Sequence, residues 1–412
     1  MTGGPFRRLR GVALVAAVYA LAAVVWVAAG AWLPGGRWLA VHLFTLGMLT
    51  NLVLALTDHF ARTLTHQGGA APRWQPIVLN AGVLAVLWGI PVGERWSVAV
   101  GATVVAAVVF LAYLRLRGLR RRALAPRFGW VVRMYERAHG AFLHGAVLGA
   151  LVGTGVLSGA WYLAGRTAHL HIMLLGWGGL TLLATMVFFG PTVARIRIES
   201  GADARAARAL RWGAGGLTLA VLAILATGIE GVAATVLRIV AAAGLALYAW
   251  AVGVVSLPVL RAVWRAKPSA GRWSVLAAAA WFLVVVWGDM VAVAVGAGRP
   301  LEALGVALLV GVLAQAILGT LAYLAPLFRA RNGSREALRE RLETLGGARA
   351  AAWNGGVAMA ALAALVGSSA AGIWLARAGW ALVVGVALVQ AALTAAGWRA
   401  SIGSRTVPGS RE

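Results

Sequence analysis

Apolar positions in this chain do not alternate with polar ones. They run for about twenty residues at a time, and the charged residues gather between the runs. At 1.5 Å per residue such a run covers the ~30 Å hydrocarbon layer of a bilayer, so each predicts one membrane-spanning helix. Twelve are expected: 11–33, 39–61, 76–93, 96–114, 138–164, 169–191, 212–229, 231–257, 273–297, 302–328, 351–376 and 378–398. Arg7, Arg8 and Arg10 ahead of the first run resemble the start of a secretory leader. That run is too long for a leader's apolar segment, however, and a second follows at once, so it reads as the first helix. No polar stretch is long enough for a separate soluble domain, and a short polar tail follows Arg399. The fold expected is all-α, a single polytopic transmembrane domain over 1–412.

Composition agrees, with 61% hydrophobic residues, 12% charged and a mean hydropathy of +0.84. The absence of cysteine excludes disulfides, thiolate metal sites and iron–sulfur clusters. A net charge of +25 would suggest nucleic acid in a soluble protein. Here the basic residues sit in alternate loops: Arg7, Arg8 and Arg10; Arg62 and Arg73; Arg115 to Arg137; Arg195 to Arg211; Arg261, Arg265, Lys267 and Arg272; Arg329 to Arg349; and Arg399, Arg405 and Arg411. The other loops carry only Arg37, Arg95, Arg166, Arg299 and Arg377, with Arg238 left inside a span. Such asymmetry sets orientation, so both termini are expected in the cytoplasm and no nucleic-acid partner is expected.

A repeat underlies the spans. The second begins HLFTLG at His42 and the sixth contains HIMLLG at His171, with a glycine five residues on at Gly47 and Gly176. The sixth ends FFGPTVAR and the tenth YLAPLFRA, and counting back from Pro326 puts Val306 and Gly311 in the same frame. Three four-helix units are therefore expected, roughly 1–137, 138–272 and 273–412. The third lacks the histidine.

All seven histidines lie before residue 172. His42, His169 and His171 are expected at the outer ends of the second and sixth helices; His59, His139 and His144 form an inner set, and His66 falls in a loop. Ionisable groups inside a membrane are functional candidates by default. Neutral imidazoles on facing helices are the usual axial grip on haem iron, and surroundings poor in carboxylate and free of thiol speak against zinc or calcium. His42 opposite His171 or His169 would make such a pair. His171 is favoured as the frame equivalent of His42, with Gly47 and Gly176 leaving room for a porphyrin edge. Arg37, five residues before His42, and Arg166, three before His169, could pair with haem propionates. A second haem on the inner set is the lesser expectation. Arg238 and Asp289 are expected to neutralise each other, Asn51 and Gln315 to bond helix to helix, and Asp58 to orient His59 or sit at the interface.

The histidine opening the second helix and the His-x-His helix continued by LGW resemble subunit I of the haem–copper oxidase superfamily. HLFTLGMLTNLVLALTDHF, HLHIMLLGWGGLTLLATMVFFGPTVAR and AQAILGTLAYLAP resemble more closely the membrane module fused to multicopper oxidases and copper nitrite reductases of actinobacteria. The resemblance implies a bacterial inner-membrane protein holding haem b through His42 and the His169–His171 pair. It departs from the oxidases in having no histidine on the seventh or tenth helix, so a complete oxygen-reducing centre is not expected. Nor is proton pumping expected, since no chain of buried carboxylates or lysines crosses the membrane. The expected function is electron transfer from quinol to a periplasmic copper or haem protein. The alternatives are a cofactor-free transporter or scaffold on the same fold, or copper or nitric oxide handling at the outer histidines.

Overall fold

The computed structural model describes residues 5–123, 128–194, 196–197, 199–327 and 332–403. The basic residues Arg127, Arg195, Arg329, Arg405 and Arg411, and the end of the polar tail, lie outside the described residues. Every regular element among the described residues is helical. In chain order they are α1 (Pro5–Ala29), α2 (Gly36–Leu64), α3 (Gln75–Val92), α4 (Arg95–Arg122), α5 (Gly129–Gly153), α6 (Gly159–Val193), α7 (Ala202–Ala226), α8 (Val232–Trp264), α9 (Ala270–Val295), α10 (Gly298–Pro326), α11 (Asn332–Glu343), α12 (Gly346–Val366) and α13 (Ala370–Gly403). Among the described residues eleven of these, all but α5 and α11, contain a segment long and apolar enough to cross a membrane. That is the architecture of a multi-pass membrane protein.

Large apolar side chains face outward all along the helices, as a lipid solvent allows. Trp32, Trp96, Trp264 and Trp374 are exposed at or near helix ends, where indole rings suit the bilayer interface.

Several boundaries differ from the sequence expectation, and those of α5 and α6 change where the histidines stand. The span expected over 138–164 is broken: α5 ends at Gly153, and α6 begins at Gly159 after a turn through the left-handed Gly155 (φ 74°). The helix starts earlier instead, at Gly129, and takes in Arg133, Glu136, Arg137, His139 and His144, which make it less apolar than the eleven. Because α6 begins at Gly159, His169 and His171 do not stand at its mouth; His169 lies about 15 Å along the helix. At the other end of the chain, the break between the last two spans falls at 367–369, so Arg377 lies within α13, its guanidinium 5.6 Å from the Trp374 ring centroid.

Three helices share one irregularity. In α2, α6 and α10 the backbone widens into π-helix over Leu43–Leu49, Ile172–Gly179 and Ala307–Ala314. Each widening begins one residue after a frame position, His42, His171 or Val306. A π-segment carries an extra residue and loosens the backbone ladder, so its carbonyls seek other donors. Side chains supply them: Asn51 Nδ2 donates to Gly47 O (2.8 Å), Tyr248 Oη to Leu175 O (2.8 Å) and Trp353 Nε1 to Val310 O (3.2 Å). Leu175 and Val310 occupy the same frame position, four residues after His171 and Val306.

A second feature also recurs three times. α3 and α4 meet at Gly82 and Gly101, α7 and α8 at Gly216 and Gly244, and α12 and α13 at Gly356 and Gly379. A Cβ on Gly101 would lie 2.7 Å from Gly82 O, and one on Gly356 would lie 2.7 Å from Gly379 O. Bare backbones let these helices approach closely where no hydrophobic effect drives them together.

The helices pack into two compact units, with α6, α8 and α9 contributing residues to both. The first comprises Met1–Val187, Gly201–Val255 and Asp289–Ala297, and it holds every histidine. Asn51 on α2 and Asn80 on α3 exchange amide bonds there (3.0 Å each way). The second comprises Phe188–Ser200, Ser256–Gly288 and Gly298–Glu412. Within it the short polar α11 buries Leu338 and Leu342 against Ala325 and Leu393, and Trp281 on α9 donates to Asn354 on α12 (2.7 Å). Gln315, expected to match Asn51, is buried but its Oε1 finds no hydrogen-bond partner among the described residues.

Candidate functional site

The histidines share a common anchoring. Nδ1 of His42 lies 2.9 Å from Trp38 O, that of His169 2.8 Å from Gly145 O, and that of His171 2.8 Å from Thr167 O. His139 and His144 bond Tyr135 O and Gly140 O in the same way, at 2.8 Å each. A carbonyl only accepts, so each Nδ1 carries the proton, and the neutral ring presents Nε2 as its acceptor. This is the tautomer an axial ligand needs, with the far nitrogen held by a backbone carbonyl.

What Nε2 meets then separates the residues. His171 is buried, and its Nε2 lies 3.1 Å from Asp289 Oδ1. Both of its ring nitrogens are therefore engaged. Since Nδ1 already holds a proton, the contact requires a second one between Nε2 and the carboxyl, so the pair shares it. Asp289 Oδ2 is buried without a hydrogen-bond partner among the described residues. The expected neutralisation of Asp289 by Arg238 does not form: Arg238 Nη2 bonds Thr235 Oγ1 (3.0 Å), and its side chain lies along Gly296. The histidine immediately before the π-segment takes the carboxylate instead.

His42 and His169 are placed differently. No hydrogen bond reaches Nε2 of either among the described residues. His42 stacks on Trp38, with ring centroids 4.0 Å apart and planes 20° apart. His169 crosses to α5, where Gly145 supplies the carbonyl and Gly149 the space: a Cβ on Gly149 would lie 2.7 Å from the His169 ring. These two residues fit axial ligation of haem iron, being neutral, anchored and open at Nε2. Arg37 and Arg166 are both exposed, Arg37 on the first turn of α2 and Arg166 about two turns into α6.

The room expected beside the frame glycines is filled by protein. The Tyr19 ring covers Gly47, and Ala141, Ile172 and Leu217 cover Gly176. In the same frame the Trp281 ring covers Gly311. These glycines seat a side chain of a neighbouring helix.

The inner histidines do not form one group. His144 is exposed, His66 lies in a turn with φ 53°, and His59 is half-buried with its ring 5.8 Å from that of Phe60. Asp58 accepts from Arg62 Nε (2.9 Å), with Arg115 Nε 3.8 Å away. His139 is fully buried between α5 and α6, its ring 4.9 Å from that of Trp177 and edge-on to it, and its Nε2 has no hydrogen-bond partner among the described residues. Among the described residues no three histidine, aspartate or glutamate side chains converge as a metal site.

No family model matches the sequence, and no curated protein matches it.

Proposed function

We propose that the chain is a twelve-span protein of a bacterial inner membrane, both termini cytoplasmic, that binds haem b and transfers electrons. The observation that carries the proposal is the pair His42 and His169. Each is anchored through Nδ1 and open at Nε2, and both stand just ahead of the π-segments of α2 and α6, which share one frame. α5, with its histidines and charges, is the twelfth span in this reading. Haem held there would supply one-electron exchange. The chain's own part is to keep both imidazoles neutral and oriented, and to surround them with apolar helices that exclude water. Exposed Arg37 and Arg166 flank the ligands and suit propionate carboxylates. Quinol as donor, and a periplasmic copper or haem protein as acceptor, complete the proposal. An optical spectrum of the purified protein tests it: Soret and α bands are expected.

One observation favours a second reading, a cofactor-free transporter. The His171–Asp289 pair is buried among apolar helices with a carboxyl oxygen unpartnered, and intramembrane ionisable pairs often mark a substrate path. A protein with no haem bands would follow that reading, and copper or nitric oxide handling at the outer histidines would then be tested by metal analysis.

A further inference from the structure

The end of α8 carries an unbalanced positive charge. Arg261 and Arg265 stand four residues apart, hence on one side of the helix end. With Leu260, Trp264 and Leu276 of α9 they line an open pocket of about 320 Å³. Arg272 lies behind it. Its side chain is buried, with Nε bonding Val263 O (3.2 Å) and Nη2 bonding Trp264 O (2.7 Å), so it caps the free carbonyls of α8. Its guanidinium is 4.6 Å from the Trp273 ring centroid and 5.9 Å from that of Trp264. Among the described residues none of the three arginines has a carboxylate partner. Glu343, which does reach this turn, accepts from the Ala270 backbone N–H (2.6 Å).

The pocket thus combines three features. Its cations lack counter-ions, its walls are leucine and indole, and it lies at the end of a long apolar helix. We propose that it binds an anionic phospholipid, with the phosphate against Arg261 and Arg265 and an acyl chain along Leu260 and Leu276. The inference rests on the membrane reading but not on the haem. A phosphate supplies the missing charge, the apolar walls require a tail, and Arg272 fixes the helix end that presents the two exposed arginines.

Native mass spectrometry of the purified full chain, reconstituted with phosphatidylglycerol or phosphatidylcholine, tests the proposal. Phosphatidylglycerol should stay bound and phosphatidylcholine should not. Arg261→Gln with Arg265→Gln should weaken retention by roughly fivefold per arginine, as expected for about 1 kcal/mol each. Arg261→Lys with Arg265→Lys should retain it, since a headgroup phosphate accepts a point charge. Arg208→Gln with Arg211→Gln, an equal loss of charge on α7, should leave it unchanged. Equal loss in both glutamine pairs, equal retention of the two lipids, or displacement by millimolar inorganic phosphate would overturn the proposal. If the glutamine pair does not fold, the wild-type lipid comparison and the lysine pair still decide.

Discussion

Asp289 reaches across 118 residues of chain to place Oδ1 3.1 Å from His171 Nε2, between helices with few other ionisable groups. Removing one partner of a buried pair strands the other. Asp289→Leu or His171→Leu alone should therefore cost about 3–5 kcal/mol, while the two together should recover most of that loss. Thermal unfolding in detergent of the two single variants and the double measures the coupling. Additive losses would mean that the contact contributes nothing.

The glycine crossings make a prediction that separates close helix packing from glycine content in general. A Cβ at Gly101 or Gly379 would meet a backbone carbonyl 2.7 Å away, which cannot move aside. Gly101→Ala and Gly379→Ala should each destabilise by about 1–3 kcal/mol. Gly118→Ala and Gly385→Ala, with nothing within 4 Å, should be neutral or stabilising by about 0.5–1 kcal/mol. Unfolding midpoints of the four variants give the comparison.

Tyr248 is the donor to a π-segment carbonyl. Tyr248→Phe keeps the ring but leaves Leu175 O without that bond in a buried site, a cost of about 1–3 kcal/mol. Hydrogen exchange of the α6 amides should quicken locally around 172–179, and an unchanged rate there would show that the π-segment holds itself.

Topology has a direct test. The charge asymmetry places a reporter fused after Glu412 in the cytoplasm and one inserted at Ser158, in the turn between α5 and α6, outside. Reversal of either would invert every layer assigned to the histidines.

The helical, membrane-embedded character was legible because apolar block length is a local property. The frame through His42, His171 and Val306 was legible too, and a π-segment follows all three positions. Asp289 stood out in the sequence as a costly charge, but its partner did not: a repeat frame gives equivalent positions, not which side chain another helix delivers there. The preference for His171 as ligand rested on the frame alone and could not anticipate that Asp289 would take its Nε2. The start of α6 was misjudged because apolar residues continue through the turn at 154–158, so hydropathy saw one span over 138–164 where Ser158 and Gly159 open a new helix. The space beside Gly47 was read as room for a ligand because sequence does not show that Tyr19 turns its ring into it.

Gly149 tests how His169 is held. A branched side chain there must displace the imidazole, so Gly149→Val should change the haem spectrum much as His169→Ala does. Gly140→Val, with nothing within 4 Å, should not.

The central claim is that His42 and His169 hold one iron, and an optical spectrum of the reduced, purified variants tests it most directly. Losing either strong-field ligand turns a low-spin haem high-spin or empties the site. His42→Ala and His169→Ala should each abolish the low-spin bands, while His171→Ala, which removes a partner of Asp289, should leave them in whatever protein folds. Wild-type bands in both His42→Ala and His169→Ala, or their loss in His171→Ala alone, would contradict the account.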